Sequence, residues 1–317
     1  MLCNIFMINL RHINKFLVIV IFSLLLSSQS FADKKFEKDL KKISIDNGFI
    51  DNLGNIYPID DITDKKNTLI VVYNHGSQND QTLDKCNKKW NKVPPIILNL
   101  HDKKINNLKI KILKFCSGVR GWGKNHQDKM DARYKNKKQK EFLNIIKTDG
   151  DKIKFETQKQ FVKQKLINQK IDNLINLGFN NIILVGHSAG GWASITLKSQ
   201  FPKKIGAVIA INPAFSGKFS NRKNWPFWAI IREYGVSQID IPNLKNTMVY
   251  VHDKDEWETS ESLSFLNIDN VNFKNISKSN CKAKLIFGKH HGIPLTECFA
   301  ESDVNKKEMI NFLEGIF

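Results

Sequence analysis

The sequence predicts an α/β protein: a mainly parallel sheet with helices on both faces. Two observations carry that prediction. Short apolar runs recur at residues 67–73 (NTLIVVY), 110–116 (IKILKFC), 182–185 (IILV), 205–211 (IGAVIAI), 248–251 (MVYV) and 284–287 (KLIF). Runs of this length with little alternation read as strands buried on both faces, the habit of parallel sheets. Helix-patterned segments separate several of them, and strands alternating with helices imply crossovers that cover the sheet. No linker-like composition and no internal repeat interrupts the series, so one domain is expected.

Residues 1–32 read as a secretory signal. Arg11 and Lys15 precede an apolar run over 16–26, and Ser27-Ser28-Gln29-Ser30-Phe31 leads to Ala32. The run is shorter than the roughly 20 apolar residues of a membrane span. Asp33 is the expected first residue after export, and 33–317 the domain. Residues 43–60 alternate loosely about Asn52-Leu53-Gly54-Asn55, an edge hairpin. The 67–73 strand ends in Asn74-His75-Gly76-Ser77, and a helix is expected within 93–106 after Pro94-Pro95. Residues 158–177 set Phe161, Leu166, Ile167, Ile171, Leu174 and Ile175 at helical spacing, closed by Gly178. A small insertion containing Trp225-Pro226-Phe227-Trp228 separates the strands near 211 and 248, and a helix over 302–313 closes the chain.

A hydrophobic content of 41% over 317 residues supports a full core. Loss of Arg11 and Lys15 lowers the formal charge from +18 by two, to +16. Such a balance favours anionic partners, and weak association with an anionic membrane surface is expected. The lysines are scattered, and no aromatic-interleaved basic motif occurs, so a nucleic-acid partner is not expected. Export leaves Cys86, Cys116, Cys281 and Cys298. An even number in an oxidising compartment suggests two disulfides among three pairings. Proximity in sequence favours Cys86–Cys116 and Cys281–Cys298.

Residues 181–200 (NIILVGHSAGGWASITLKSQ) carry the chemistry. A buried strand runs into Gly186-His187-Ser188-Ala189-Gly190 and a helix follows, which puts Ser188 at the apex of a tight turn. The flanking glycines remove the Cβ atoms that would collide where strand and helix approach. The helix start aims unpaired N–H groups at charge developing beside the serine. A serine hydroxyl needs a base, histidine suits that task, and a carboxylate must fix the imidazole tautomer. Downstream, an acid follows the 248–251 strand in His252-Asp253-Lys254-Asp255, and histidines follow 284–287 in Gly288-Lys289-His290-His291-Gly292.

These three segments, with the His75-Gly76 turn, resemble the α/β-hydrolase superfamily over essentially the whole exported length. The resemblance implies Ser188 as nucleophile and His291 as base, with His290 as the alternative. It implies Asp255 or Asp253 as the acid, Asp255 fitting the family's turn better although His252 stands where a glycine is usual. The oxyanion hole would use the N–H groups of Ala189 and Ser77. Trp225, Phe227 and Trp228 would wall an apolar acyl pocket, or simply bury their rings in an amphipathic helix. His75, Trp192 and Trp122 read as packing residues.

The implied activity is hydrolysis of a small carboxylic ester or acyl substrate by a monomer, without cofactor or metal. A peptidase or acyltransferase would use the same residues. A zinc site of His252, Asp253, His290 and His291 lacks supporting spacing. A basic binding module on the same scaffold is the non-catalytic alternative.

Overall fold

The chain's computed structural model describes residues 46–76, 92–116, 159–215, 218–222, 226–283 and 288–317, with positions 141 and 144. The chain divides into two units, Met1–Ile43 and Ser44–Phe317, and every described residue belongs to the second. The expected signal at 1–32 lies outside the described residues, as do Ser77, Cys86, Trp122, Trp225 and the expected strand at 284–287.

The sheet is built on β3 (Thr68–Asn74), in which every residue is buried. It pairs in parallel with β5 (Leu108–Phe115) on one side and β6 (Asn181–His187) on the other, so Val71 lies opposite both Ile112 and Ile183. Beyond β6 follow β7 (Ala207–Ile211), β8 (Thr247–Val251) and β9 (Val271–Asn275), all parallel. Beyond β5 the sheet turns antiparallel with β1 (Asp46–Ile50) and β2 (Ile56–Tyr57). The order is β2-β1-β5-β3-β6-β7-β8-β9, and β4 (Lys104–Ile105) pairs with β5.

Alternation along the strands sorts the core into two layers. Leu69, Val71, Tyr73, Ile183, Val185, Ile209 and Tyr250 share one cluster with Ile96, Phe299, Met309 and Leu313. Those partners belong to α1 (Pro95–Leu98), α5 (Glu297–Glu301) and α6 (Asp303–Glu314). α3 (Ala189–Gln200) packs on β6, β7 and β3, and α2 (Lys159–Asn176) packs on α3. Helices therefore cover both faces, as the near-continuous apolar runs require. Each Ile or Leu so buried contributes about 1.5–3 kcal/mol.

Local chemistry accounts for the ends. Asp51 Oδ1 accepts the N–H groups of Leu53 and Asn55 at 2.9 and 2.8 Å, fixing the expected hairpin turn. Gly178 takes φ 95° just past α2, and the Ser302 hydroxyl accepts the Asn305 N–H at the start of α6.

One expectation changes, and two strands were not anticipated. The helix expected in 93–106 is only α1, because Asp102 at φ 60° and Asn106 at φ 50° turn the chain into the β4–β5 hairpin. β4 was not anticipated. Neither was β9, whose residues past Val271 are half-buried or exposed, so it lacks the apolar run that marks the inner strands.

Cys281 and Cys298 form a disulfide across a sequence separation of 17, as sequence proximity suggested. Cys116 is disulfide-bonded as well, with its expected partner Cys86 outside the described residues. The Cys281–Cys298 loop contains His290 and His291. Cys281→Ser/Cys298→Ser is expected to lose about 3 kcal/mol. Thermal unfolding should register this as a fall of roughly 5–10 °C in midpoint.

Candidate active site

The chain leaves β3 for β5 on one side and later returns to β6 on the other. Ligand sites in open parallel sheets form at such a reversal, beyond the carboxyl ends of the strands. Asn74-His75-Gly76 and His187-Ser188 meet there: a Cβ on Gly76 would lie 3.3 Å from the Ser188 Cβ.

Ser188 has φ 55° and ψ −122°, a conformation L-residues rarely adopt. Such backbone costs on the order of 1–3 kcal/mol and persists only where its surroundings impose it. Here the Ser188 N–H donates to the Ile211 carbonyl at 3.0 Å, and the Ser188 carbonyl accepts the N–H groups of Trp192 and Ala214, each at 3.0 Å. The glycines make the bend feasible. A Cβ on Gly186 would lie 2.3 Å from the Gly190 carbonyl carbon, and one on Gly190 would lie 2.0 Å from the Asn74 oxygen. Ala189 opens α3, so its N–H is among those the helix itself leaves unpaired. Buried Gln160 of α2 donates to the Ala189 carbonyl at 2.9 Å and pins the turn from behind.

Asp255 follows strand β8. The His291 Nδ1–H donates to Asp255 Oδ2 at 2.7 Å, and both side chains are buried. The other Asp255 oxygen accepts the Trp257 N–H at 2.8 Å, which sets the carboxylate plane. A carboxylate accepting at Nδ1 leaves the lone pair of the neutral ring on Nε2. That Nε2 is buried and has no hydrogen-bond partner among the described residues. The His291 ring lies 4.7 Å from the ring of His187, the neighbour of Ser188, and 4.4 Å from Trp257.

Asp253 does other work. It is exposed and accepts hydrogen bonds from Asn275 Nδ2 at 2.6 Å and from the Ser260 hydroxyl, bracing the turn after β8. Of the two aspartates, Asp255 is therefore the one at His291. His290 points elsewhere, its ring 4.5 Å from that of His252 and its Nδ1 3.3 Å from Glu256. His75 is fully buried and donates from Nδ1 to the Gly76 carbonyl at 2.7 Å, the packing role expected of it. Among the described residues no group of three or more His, Cys, Asp or Glu is placed to hold a metal.

Sequence reasoning missed two supports of His291. Its carbonyl accepts from His187 Nε2 at 3.2 Å and from Asn212 Nδ2 at 2.9 Å. Asn212 sits at φ 41°, at the exit of β7. Only its place beside a strand end marked it.

Sheet order, the strained serine between β6 and α3, and an acid after β8 bonded to a later histidine are one arrangement. The chain has the α/β-hydrolase fold. No protein-family model and no curated protein matches its sequence. Among solved structures it is similar to Est1E from Butyrivibrio proteoclasticus, with 13% identity over 80% of this chain and 90% of that one, TM-score 0.46. The Pyrococcus furiosus esterase Pf2001 gives 13% identity over 84% and 86%, TM-score 0.46. A puromycin hydrolase gives 10% identity over 80% of this chain and 35% of its own, TM-score 0.47. What fixes the hydrolase fold is this chain's own topology and turn.

The insertion between β7 and β8 contains α4 (Pro226–Ser237). Its Ile231 and Tyr234 are buried, Tyr234 lies 5.9 Å from Phe161, and Gly235 is pressed against the Phe215 ring. The side chains of Phe227 and Trp228 lie outside the described residues. Trp192 is buried with its ring 5.3 Å from Phe215, a core residue as expected.

Burial holds His187 well below the ordinary histidine value of 6.5, and the neighbouring His291 pushes the same way. Below pH 6.5 the unfolded chain binds a proton here that the folded one refuses, so stability falls as pH falls from that point toward the lowered folded value. Burial lowers His252 and His101 likewise. The expected slope from each such group is at most about 1.4 kcal/mol per pH unit. Melting curves of His187→Asn should show a flatter loss between neutral and mildly acid pH than the parent.

Proposed function

We propose that the chain is an exported serine hydrolase acting on a small carboxylic ester, with Ser188, His291 and Asp255 as its triad. The supporting observation is the buried Asp255–His291 pair at 2.7 Å, with the imidazole Nε2 unpartnered among the described residues and its ring beside the elbow that carries Ser188. The Ser188 Oγ attacks the ester carbonyl carbon while His291 Nε2 takes its proton. The tetrahedral oxyanion accepts hydrogen bonds from the N–H of Ala189 and, from the turn after β3, of Ser77. Its collapse breaks the bond to the alkoxy oxygen, which leaves with the proton from His291. Water then attacks the acyl carbon as its proton passes to Nε2, and collapse of this second intermediate breaks the bond to Ser188 Oγ, which takes the proton back from His291 as the acid leaves.

The same reading takes residues 1–32 as removed on export and 33–317 as the catalytic domain, acting as a monomer. Disulfide bonding at Cys281–Cys298 supports an oxidising compartment. Trp225, Phe227 and Trp228 would wall the acyl side of the pocket, and the basic surface would give weak contact with anionic membrane.

A series of p-nitrophenyl esters of increasing acyl length, run beside matched p-nitroanilides, tests the reading. Turnover of the esters with little of the anilides is expected. Anilide turnover of equal rate would replace esterase by peptidase, and no turnover of either by the folded protein would remove the enzyme reading.

A further inference from the structure

The segment that carries His291 belongs to no strand or long helix, so something else must hold its backbone. We propose that Glu256 is the positioning residue of this segment, the anion on which the amides of Lys289, His290 and His291 converge. The inference rests on the triad reading above. The Glu256 carboxylate accepts the Lys289 N–H at 2.7 Å, the His290 N–H at 3.3 and 3.4 Å to its two oxygens, and the His291 N–H at 3.2 Å. Successive amides aimed at one anion form a nest, which orients peptide planes as well as anchoring them. Gly288 makes room for it: at φ 81°, a Cβ there would lie 2.5 Å from Glu256 Oε2 and 2.6 Å from Trp257 Cζ3.

Burial by itself would raise the Glu256 carboxyl. The N–H groups of Glu256 itself, His291, Lys289 and His290 outweigh that and hold it below its ordinary value of 4.5, so it is an anion at neutral pH. Glu256 is itself anchored, since its carbonyl accepts the Phe219 N–H at 2.9 Å. Consecutive residues thus fix His291 in complementary ways. Asp255 orients the ring through Nδ1, Glu256 orients the peptide through its N–H, and His187 with Asn212 holds the carbonyl. A ring hydrogen bond alone lets the Cα drift, and a drift of about 1 Å at a proton-transfer group can cost a hundredfold in rate.

The test is steady-state hydrolysis of p-nitrophenyl acetate by Glu256→Ala and Glu256→Gln. Glu256→Ala should lose about a hundredfold in kcat with KM within about twofold. Glu256→Gln, which keeps one acceptor oxygen but loses the charge, should fall to about a tenth of the parent kcat. Parent-like kcat in Glu256→Ala overturns the proposal, and so does a matched loss of kcat and KM that Gln does not relieve. If the alanine variant does not fold, Glu256→Gln decides: lower kcat at unchanged KM supports, unchanged kcat overturns. Ser188→Ala is run alongside. Parent-like activity in that variant sinks the triad and this proposal with it, whereas Ser188-dependent activity indifferent to Glu256 sinks this proposal alone.

Discussion

Ser188→Ala is expected to lose ester hydrolysis by a factor on the order of 10⁶ in kcat while keeping the fold. The change removes one hydroxyl from a residue whose backbone is fixed through Ile211, Trp192 and Ala214, not through its side chain. Alanine meets the same φ of 55° with the same Cβ, so the turn has no new reason to relax. What disappears is the acyl-enzyme route, leaving only the oxyanion donors and binding. Release of p-nitrophenolate in stopped assays at high enzyme concentration, with circular dichroism as the control, checks both halves. A decrease of less than tenfold would place the nucleophile elsewhere.

Asp255→Asn is expected to cost about 10⁴ in kcat, with KM little changed. The aspartate touches no substrate in the proposed mechanism. An asparagine presenting its NH₂ to Nδ1 would drive the ring proton to Nε2, the atom that has to accept the serine proton. Asp253→Asn is the comparison, because the Asp253 carboxylate is bonded to Ser260 and Asn275, whereas His291 Nδ1 is bonded to Asp255. Its kcat should stay within a few-fold of the parent. Equal losses in the two variants would mean that the turn after β8, not the Asp255–His291 bond, governs the rate.

Much of this was legible because it is local. A run such as 67–73 can hide so many apolar side chains only between two helix layers, and β3 is buried throughout. The elbow was legible because glycine is demanded by contacts within it: Gly186 faces Gly190, and Gly190 faces the end of β3. Gly178 and Ser302 ended and began helices for reasons contained in their own few residues.

The rest depends on partners distant in sequence. Asp253 and Asp255 leave the same strand two residues apart, and only the turn closed by the Asp255 N–H to the His252 carbonyl separates their directions. Glu256 looks like any exposed carboxylate until the segment from 288 arrives, and Asn212 like any turn residue. β9 escaped notice because its residues past Val271 are half-buried or exposed, so no apolar run marks it.

The most direct measurement is peptide-level mass spectrometry after treating the native protein with a fluorophosphonate. The account predicts one phosphonyl adduct, on Ser188, forming at a rate that collapses in His291→Ala. A folded protein that takes no adduct, or takes it at another residue with Ser188 unmodified, would contradict it.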